Sequence, residues 1–514
     1  MKILFGKRGE IMEKTYIDFM DEITSTELYE KLVEHGLFSE KLPPLFSAHD
    51  FLEYCKSIRT APFPNTARDY ITFDSMRNIN IPRTIGIPAP MTHEKLCKVL
   101  ADSWDDIKEH FKVCTEKQLY KVSRLHIRRL HESDALFEMN YKNWRTDGSP
   151  EPDLLIGKRY MVCADISKCY PSIYTHAIPW ALVGKETAKL NKGNKTLWYN
   201  MIDSSAQRSR NQETHGILIG PHTSNILSEI ILCAIDKKLV DAGWQYIRNI
   251  DDYCCYVESR ERAEEFLVDL NRELKQFDLL LNHKKTNIIE LPIGSVEHWK
   301  NLLNDKAAFL GNKRGYVDYK EVRSFCDYFI SLMSHNEENS AIIFYGLRIL
   351  SGYKLSKNAQ QYLIKTIVSL SLIFPYIVPL LNKYVFSVYD CSKAQIQSYA
   401  NIIFDTYLKK ENFEACAFAL HLMIDYSLVA INFNIDDIIK SDDCILLVTA
   451  LVYCRKINDN ESLKKLKDYA RSIVSTNFDK NWLFLYECLS VGYFKEEWRD
   501  MKSNNISFLH SKYR

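Results

Sequence analysis

Paired aspartates are the first residues of this sequence whose type and spacing suggest chemistry. They occur at 105–106, 251–252, 436–437 and 442–443. A doubled Asp usually marks a solvated turn or the start of a helix. The pair at 251–252 differs because it lies between two strand-like runs, Tyr246-Ile247 and Tyr253–Val257. Two carboxylates held at the tip of a rigid hairpin repel each other unless they face solvent or a divalent cation bridges them.

Asp165 is the complementary feature, because it lies inside the apolar run Tyr160-Met-Val-Cys-Ala-Asp-Ile. A buried carboxylate is costly unless it is paired or bound to a metal. The alternative is an Asp that ends the strand and caps the following helix. A strand that ends in Asp165 beside a hairpin that carries Asp251 and Asp252 predicts a site for two Mg²⁺ ions, with Mn²⁺ as a possible substitute. Such a site performs in-line phosphoryl transfer, in which one metal activates a 3′ hydroxyl and the other holds the triphosphate and leaving pyrophosphate.

The elements that must position these carboxylates follow from the apolar spacing. The pattern predicts a helix over 23–38 with Ser25 or Thr26 as its cap, and another that begins near Thr92. Further along, it predicts a strand, turn and short helix over 160–174, a loop and long helix over 216–239, a hairpin over 244–259, a helix over 260–277 and an extended segment over 279–291.

Residues 117–131 concentrate basic side chains, including Lys117 and Arg129. Lys121, Arg124 and Arg128 fall at i, i+3 and i+7, which predicts a helix with a basic face. A solvated face without function is the alternative interpretation. From about residue 320 the chain instead shows serial apolar runs of helical length, typical of stacked helical hairpins in a HEAT-like α-solenoid.

Composition sets broad limits. A length of 514 residues predicts two or three domains. The 67 Lys and Arg against 66 Asp and Glu leave a net charge of +1, so overall charge gives no indication of nucleic acid. The 14 Cys include no CxxC pair, which argues against a zinc ribbon and favours reduced, cytosolic thiols. We expect no signal peptide and no membrane span, since the run 367–381 is short and broken by Pro375 and Pro379. Neither a P-loop nor a GxGxxG motif occurs.

Four ordered blocks between about residues 80 and 290 resemble the motifs of reverse transcriptases. Asp165-Ile-Ser-Lys-Cys-Tyr170-Pro-Ser is similar to their motif A, and Gly216-Ile-Leu-Ile-Gly-Pro-His-Thr-Ser-Asn to motif B. Asn249-Ile-Asp-Asp252 is similar to motif C, and Leu281-Asn-His-Lys-Lys285-Thr to motif D. The segment from Arg83 to Pro90 looks like their fingers entry. The resemblance implies an α+β right-hand fold of fingers and palm over residues 1–310, followed by an all-α HEAT-like repeat domain over 311–514.

The resemblance also implies roles for single residues. Asp165 and Asp251 would bind the metals directly, with the Ile166 carbonyl completing one shell, and Asp252 would bind one metal or lie in the outer shell. Tyr170 would be the aromatic gate that excludes a ribose 2′ hydroxyl, although an aromatic there also simply packs in many folds. Gly216 would pack against the incoming nucleotide, and Lys285 would lie near the leaving phosphates.

Basic residues are the remaining candidates for nucleotide binding. Lys158 and Arg159 precede the motif A strand and are candidates to hold the triphosphate by charge-assisted hydrogen bonds. Solvated charges at the strand entry are the alternative. Arg124, Arg128 and Arg129 lie in the predicted fingers, where they are candidates for binding triphosphate or product backbone.

Finer blocks (LHIRRL, LFEMNYKNW, DLLIGKRYMV, ETHGILIGPHTSN) and the helical C-terminal region resemble the AbiK-like abortive-infection (Abi) reverse transcriptases, defence-associated enzymes of bacteria. This resemblance implies a cytoplasmic polymerase that adds dNTPs without a template and is primed by its own tyrosine. It also implies a single-stranded DNA product attached covalently, a homo-oligomer (trimer or hexamer), and a phage-encoded trigger. Tyr16 and Tyr29 are priming candidates because they are early in the chain and outside the motifs.

Two positions depart from the reverse transcriptase pattern. Asn249 stands where most members have an aromatic residue, and His215 stands where Gln is common. Both positions normally touch the primer terminus or base pair, so the changes put templated copying in doubt and leave metal chemistry intact. Two alternatives to untemplated synthesis stay open: an RNA-templated enzyme of retron type, and a scaffold that binds nucleic acid or a phage trigger through a polymerase fold without activity.

Overall fold

The computed structural model describes residues 14–59, 61–129, 136–139, 148–311 and 315–514. The chain forms two compact units. The first comprises residues 1–37, 61–69 and 88–293, and the second comprises 38–60, 70–87 and 294–514. The predicted contiguous division at residue 310 differs from this arrangement, because the helical unit begins at 294 and includes two segments from the N-terminal part of the chain. Residues 140–147, which carry part of the LFEMNYKNW block, lie outside the described residues.

In the described part of the chain, the first unit contains most of the short helices and six of the eight strands. Its helices are α1 (Tyr16–Asp21), α2 (Ser25–Gly36), α4 (Pro90–Asp102), α5 (Trp104–Thr115), α6 (Glu151–Leu155), α7 (Cys169–Ser172), α8 (Ala177–Val183), α9 (Lys185–Leu190), α10 (Trp198–Arg208), α11 (His222–Asp241) and α12 (Arg260–Gln276). Its strands are β3 (Leu125–Ile127), β4 (Phe137–Met139), β5 (Tyr160–Asp165), β6 (Tyr246–Asn249), β7 (Asp252–Val257) and β8 (Asn287–Glu290).

A four-stranded antiparallel sheet organises the first unit. Its strand order is β6-β7-β5-β8, so the two strands predicted to carry the carboxylates are neighbours. The long helix α11 is buried along most of its length, which explains its nearly continuous apolar sequence. The predicted strand, turn and short helix at 160–174, the helix after 216, the hairpin at 244–259 and the helix at 260–277 are confirmed. The N-terminal helix is also present, although its cap is Thr24, one residue before the predicted Ser25.

The predicted basic helix over 117–131 is wrong. Helix α5 ends at Thr115, and the segment continues as the strand β3, which pairs antiparallel with β4. Val122, Leu125 and Ile127 are all buried. These branched apolar residues pack better in an extended segment than on a helix whose other face would be wholly charged. The i, i+3, i+7 spacing of the basic residues therefore does not place them on one face.

The described residues of the second unit form helices and one two-stranded sheet, of β1 (Tyr70–Met76) and β2 (Pro82–Pro88). Its helices are α3 (His49–Glu53), α13 (His298–Ala307), α14 (Tyr319–Ser334), α15 (Ala341–Leu350), α16 (Lys357–Ser371), α17 (Lys393–Lys409), α18 (Phe413–Tyr426), α19 (Ile435–Ser441), α20 (Cys444–Lys456), α21 (Asn460–Ile473), α22 (Trp482–Cys488) and α23 (Glu496–Ser503). Helices that are next or next but one in the chain pack on one another in most of this unit, and the predicted helical C-terminal region is confirmed. Within the described residues, no helix combines the length and apolar character that crossing a membrane requires.

Asp-Asp pairs outside the sheet take the ordinary positions predicted for them. The pair at 105–106 lies in the first turn of α5 and the pair at 436–437 in the first turn of α19. The third, at 442–443, joins the end of α19 to the start of α20. An aspartate in a first helical turn is stabilised by the helix dipole and the unpaired N–H groups there. The pairs at 105–106 and 436–437 therefore need no cation, and Asp443 caps the helix that follows it.

Gly346 allows α15 to approach α14 closely. A Cβ at this position would lie 2.7 Å from Cδ1 of Phe329, which is fully buried and cannot move aside. We expect Gly346→Ala to destabilise the helical unit by about 1–2 kcal/mol, because overpacking outweighs the better helix propensity of Ala. Urea unfolding followed by far-ultraviolet circular dichroism measures this. Gly492→Ala is the control, since a Cβ there meets nothing within 4 Å, and equal midpoints for the two variants would contradict the assignment.

Candidate active site

The central sheet places Asp165 directly opposite Asp252. The pairing of β5 with β7 runs from Tyr160 opposite Val257 to Asp165 opposite Asp252. Just beyond it, the N–H of Ile166 donates to the carbonyl of Asp251 at 3.2 Å. Hydrogen-bonded and non-hydrogen-bonded pairs alternate in antiparallel strands, so Asp165 and Asp252 form a non-hydrogen-bonded pair, the kind whose side chains approach most closely. The two carboxylates predicted from separate parts of the sequence are thus cross-strand neighbours.

The turn between β6 and β7 consists of Ile250 and Asp251. Ile250 has φ of +58°, in the left-handed region. A two-residue hairpin with positive φ at its first central residue ordinarily places Gly there. A β-branched residue in this conformation costs about 1–3 kcal/mol, which the surrounding contacts must offset. The turn that carries Asp251 is therefore strained and held in place by its neighbours.

Asp165 is 5% exposed, and both of its carboxylate oxygens are hydrogen bonded. Asn282 donates from Nδ2 to Oδ1 at 2.9 Å, and Lys285 donates from Nζ to Oδ2 at 2.6 Å. The loop that carries both residues is fixed to Asp165 by the backbone as well, since the N–H of Asn282 donates to the Asp165 carbonyl at 2.7 Å. Asp165 does not cap the following helix α7, whose N-cap residue is Lys168. The capping alternative for Asp165 is therefore wrong.

The neighbouring carboxylates raise the proton affinity of Asp252. Partial burial, followed by the charge of Asp251 and by a hydrogen bond and charge from Asp165, raises the pKa of Asp252 to about 6, although Lys285 opposes the effect. A cation placed among these groups would remove the repulsion. Carboxylate and carbonyl oxygens are the ligands that Mg²⁺ prefers, so the donor set fits the predicted metals.

The metal site is not preformed, however. Among the residues that the structure describes, no three His, Cys, Asp or Glu side chains already have the spacing of a complete metal site. Lys285 instead supplies the positive charge next to Asp165. Metal binding would require its ammonium group to move away from Oδ2, and the Lys285 side chain is 55% exposed, which leaves room for that movement.

The loop before α11 packs against the turn after Asp165. The N–H of Gly216 donates to the Ile173 carbonyl at 2.7 Å, and the N–H of Ile217 donates to the Tyr170 carbonyl at 2.9 Å. Gly216 has φ of +89°, and a Cβ there would lie 3.0 Å from the Pro171 carbonyl oxygen. Only glycine allows this approach without strain. The structure therefore packs the Gly216-Ile217 segment against the turn that carries Tyr170.

The hydroxyl group of Tyr170 both donates and accepts a hydrogen bond. It donates to Oδ1 of Asn225 at 2.8 Å and accepts from Oγ of Ser228 at 3.3 Å, both on α11. Burial raises the pKa of its hydroxyl above the usual value. The hydroxyl end of the ring is therefore held against α11, which suits either a packing role or the predicted gate.

The basic residues predicted for the fingers are engaged in contacts of their own. Arg124 is 4% exposed and donates from Nη2 to both carboxylate oxygens of Glu151 at 3.1 Å. Arg128 is 5% exposed, with its guanidinium 4.2 Å from the ring centroid of Phe19. Arg129 forms an ion pair with Glu27. Nucleotide binding by Arg124 and Arg128 stays a prediction, and it would require these contacts to open.

Lys158 and Arg159 lie at the wrong end of their strand for the role predicted. They precede β5, whereas Asp165 ends it, so a separation of about 20 Å follows from the rise of an extended chain. Lys158 pairs with Glu258 at 3.2 Å, and Arg159 is exposed. The structure does not bring either residue to the carboxylates, because β5 begins next to Lys158 and Arg159 and ends at Asp165, a full strand length away.

Both priming candidates donate hydrogen bonds from their hydroxyl groups. Tyr29 donates to Oε1 of Glu94 at 2.8 Å and is half-buried. Tyr16 is 5% exposed and donates to Oε1 of Glu229 at 2.8 Å. Burial, with the charge of Glu229, raises the pKa of Tyr16 well above its usual value. A phenol in that state is a poor nucleophile, so priming by Tyr16 would require α1 to leave this position.

A buried charge cluster next to the site is absent from the sequence predictions. It comprises Arg248 on β6 and the carboxylates of Glu229 and Asp236 on α11, all fully buried. Burial raises the pKa of Asp236. Burial also opposes the charge of Glu229, but the Arg248 charge and the hydrogen bonds from Arg248, Ser123 and Tyr16 together outweigh it and keep the pKa of Glu229 below its usual value. The signal that selected Asp165, a charge inside an apolar run, applies equally to these three residues and would have found them.

Comparison with known proteins agrees with this geometry. Residues 111–319 match the family model described as reverse transcriptase (RNA-dependent DNA polymerase). The match spans Asp165, Asp251 and Asp252, so all three carboxylates lie in the part of the chain that is similar to this family. No curated protein matches the chain.

Two solved structures of apo telomerase from Candida tropicalis are similar to the chain. The form truncated from its C-terminal domain has 16% sequence identity and a TM-score of 0.29, over 48% of this chain and 55% of its own. The other has 12% identity and a TM-score of 0.31, over 74% of this chain and 68% of its own. The chain thus spans about half the length of the truncated telomerase.

Repulsion at the sheet predicts an unusual effect of Asp252→Asn. Like charges directly opposite in a sheet cost about 0.2–1 kcal/mol, so we expect the metal-free variant to melt about 1–4 °C higher than wild type at pH 8. Saturating Mg²⁺ should cancel or reverse the difference, because the variant has one ligand fewer. Differential scanning calorimetry measures both. Asp106→Asn is the control and should melt no higher than wild type, since Asp106 lies in a first helical turn. A lower melting temperature for metal-free Asp252→Asn would contradict the repulsion.

Proposed function

We propose that the chain is a nucleotidyltransferase that adds dNTPs to DNA by two-metal phosphoryl transfer. The observation that carries the proposal is the cross-strand pair of Asp165 and Asp252, with Asp251 at the adjoining turn, inside the part of the chain that is similar to the reverse transcriptase family. Neighbouring carboxylates that share a net negative charge are the arrangement that two divalent cations stabilise.

Each residue of the site has a part in this function. Asp165 and Asp251, with the Ile166 carbonyl, would hold the metals, and Asp252 would complete or orient the shell. Bound there, the ions would activate the attacking 3′ hydroxyl and stabilise the charge of the triphosphate. Lys285 would exchange its contact with Asp165 for one with the leaving phosphates, keeping a cationic donor at the same place. Asn282 would keep orienting the Asp165 carboxylate.

Tyr170 would set the preference for deoxynucleotides. Its hydroxyl is tied to α11 through Asn225 and Ser228, so the ring cannot swing away from an entering sugar. A ribose 2′ hydroxyl would clash with such a ring, whereas a deoxyribose would fit. The short contacts of Gly216 with the same turn support a rigid nucleotide pocket.

In finer detail, we propose an abortive-infection enzyme that synthesises DNA without a template, primed by one of its own tyrosines, in defence against phage. The replacement of the usual aromatic by Asn249 and of Gln by His215 supports untemplated synthesis. His215 is exposed and stacks on Tyr174, with ring centroids 5.0 Å apart, so it is engaged by a protein ring. Of the two priming candidates, half-buried Tyr29 needs less rearrangement than Tyr16. HEAT-like repeats in the helical unit, a homo-oligomer and a phage trigger belong to the same proposal.

RNA-templated synthesis is the second candidate function. It is favoured by the family description that the domain matches, which names an RNA-dependent DNA polymerase. The carboxylates serve both functions equally, so only the template requirement separates them.

Incubation of the purified chain with Mg²⁺ and each dNTP, with and without an RNA or DNA template, tests the proposal. We expect DNA that stays attached to the protein without template, seen as nucleotide steps in the intact mass and mapped to one tyrosine peptide. Asp251→Asn should reduce incorporation by about 10²-fold or more, since it removes a metal ligand. Asp437→Asn, in an exposed Asp-Asp pair, is the matched control. Strict template dependence would favour RNA-templated synthesis. Equal incorporation by Asp251→Asn and wild type would contradict both candidate functions.

Substitution at Tyr170 tests the gate separately. Tyr170→Ala should admit ribonucleotides and lower the discrimination between dNTP and rNTP by about 10-fold or more, because the clash with the 2′ hydroxyl is lost. Tyr170→Phe keeps the ring and should retain most of the discrimination. The measurement is the ratio of kcat/KM for matched dNTP and rNTP pairs. Unchanged discrimination in Tyr170→Ala would remove the residue from this role.

A further inference from the structure

Arg248 is unusual because every one of its guanidinium N–H groups has an acceptor although the side chain is fully buried. Nε and Nη2 donate to the Asp236 carboxylate, with the shortest contact 2.6 Å from Nη2 to Oδ2. Nη1 and Nη2 also each donate to Glu229 at 3.1 Å. The remaining N–H of Nη1 donates to the backbone carbonyl of Ile250 at 2.9 Å. Five donors meeting acceptors in three directions is a geometry that only a planar guanidinium provides.

The last of these contacts is to the turn between β6 and β7, which carries Asp251. Ile250 is the strained residue with φ of +58°, and the peptide group after it leads directly to Asp251. A hydrogen bond to the Ile250 carbonyl therefore fixes the orientation of that peptide group. The orientation of this peptide group in turn determines the position of the Asp251 Cα and the direction of its side chain.

The acceptors that orient Arg248 are themselves fixed. Glu229 and Asp236 lie two helical turns apart on the buried helix α11. Tyr16 donates to Glu229 at 2.8 Å, and Tyr246 donates to Asp236 at 2.8 Å. The backbone of Arg248 is also held, since its N–H donates to Val122 at 2.9 Å and its carbonyl accepts from Arg124 at 2.7 Å. The guanidinium therefore has one available position.

We propose that Arg248 is a positioning residue that holds the Ile250-Asp251 turn in its strained conformation and so sets the metal affinity of the neighbouring carboxylates. Its acceptors, Glu229 and Asp236, act through it. This inference rests on the proposed function only in taking the carboxylates to be a metal site. Such outer contacts typically change metal affinity by about 10–100-fold when they are removed.

Arg248→Lys tests the proposal, because Lys keeps the charge but has too few donors in the wrong geometry to satisfy both carboxylates and the Ile250 carbonyl. Binding of Mn²⁺ alone, titrated by electron paramagnetic resonance, should weaken by about tenfold. Where the chain incorporates dNTPs, the Mg²⁺ concentration for half-maximal rate should rise by the same factor. Trp244→Phe is the matched stability control, because Trp244 is buried just before β6 and donates to Asp269, away from the turn. It should lower the melting temperature without changing Mn²⁺ affinity.

A rescue variant separates positioning from general destabilisation. Ile250→Gly relieves the strain at positive φ, so in the Arg248→Lys background it should restore much of the Mn²⁺ affinity. A merely structural role of Arg248 predicts no such rescue. If Arg248→Lys does not fold, Glu229→Gln, which is nearly isosteric, disturbs the guanidinium from the α11 side and should weaken Mn²⁺ binding by about threefold or more.

The outcomes distinguish this inference from the proposed function. Wild-type polymerisation together with wild-type Mn²⁺ affinity in a folded Arg248→Lys, or in Glu229→Gln where Arg248→Lys does not fold, overturns the inference alone. Failure of Ile250→Gly to restore binding overturns the strain argument. Absence of dNTP incorporation with the predicted loss of Mn²⁺ affinity overturns the proposed function and supports the positioning role. Absence of Mn²⁺ binding by the wild-type chain overturns both.

Discussion

Mutual repulsion of carboxylates across two antiparallel strands is the constraint on which the first unit depends. Asp165 and Asp252 face each other in a non-hydrogen-bonded pair, and Asp251 adds a third charge at the turn. A sheet cannot relieve this by moving one side chain, because the register that opposes them also pairs Tyr160–Ala164 with Tyr253–Val257. The unit holds a cation at each of two places. Lys285 pairs with Asp165 and offsets part of the repulsion, whereas Arg248, whose own charge is balanced by Glu229 and Asp236, supports the turn before Asp251 through the Ile250 carbonyl.

One positive charge is exchangeable and the other is permanent. Lys285 lies on a loop, is half exposed, and contacts Asp165 through a single flexible ammonium group. Arg248 lies in a strand, is fully buried, and is fixed by two carboxylates of α11. A cation that must give way to metal suits a flexible Lys, whereas a cation that must never move suits a planar guanidinium. The two residues thus separate temporary neutralisation of the carboxylates from lasting support of their backbone.

The sequence predicted elements well where the apolar pattern is clear, as for β5, the hairpin around Asp251 and helix α12, although Ile250 is not a residue that favours the turn of that hairpin. It failed at 117–131, where basic residues at helical spacing concealed a strand, because Arg124 and Arg128 are buried with partners that are distant in sequence. The same limit applies to Lys158 and Arg159. They are close to Asp165 in sequence, but the strand β5 separates them from it in space. The sequence could have identified Glu229 and Arg248 as charges in apolar runs, but their pairing depends on tertiary contacts. Residues 38–60 and 70–87 belong to the helical unit, and no local sequence pattern predicts this.

Internal pairing also changes the meaning of the near-zero net charge. Arg124, Arg128 and Arg248 count as positive charges in the composition, yet each is at most 5% exposed. A groove for a nucleic-acid duplex needs exposed cations along its whole length, since phosphate contacts dominate that affinity. Basic residues confined to internal pairs contribute nothing to such a groove. An enzyme whose growing product is covalently attached has less need of one, because attachment replaces affinity in keeping the 3′ end near the carboxylates. The near-zero net charge is therefore compatible with the proposed protein-primed function, because part of the positive charge that it counts lies in internal pairs.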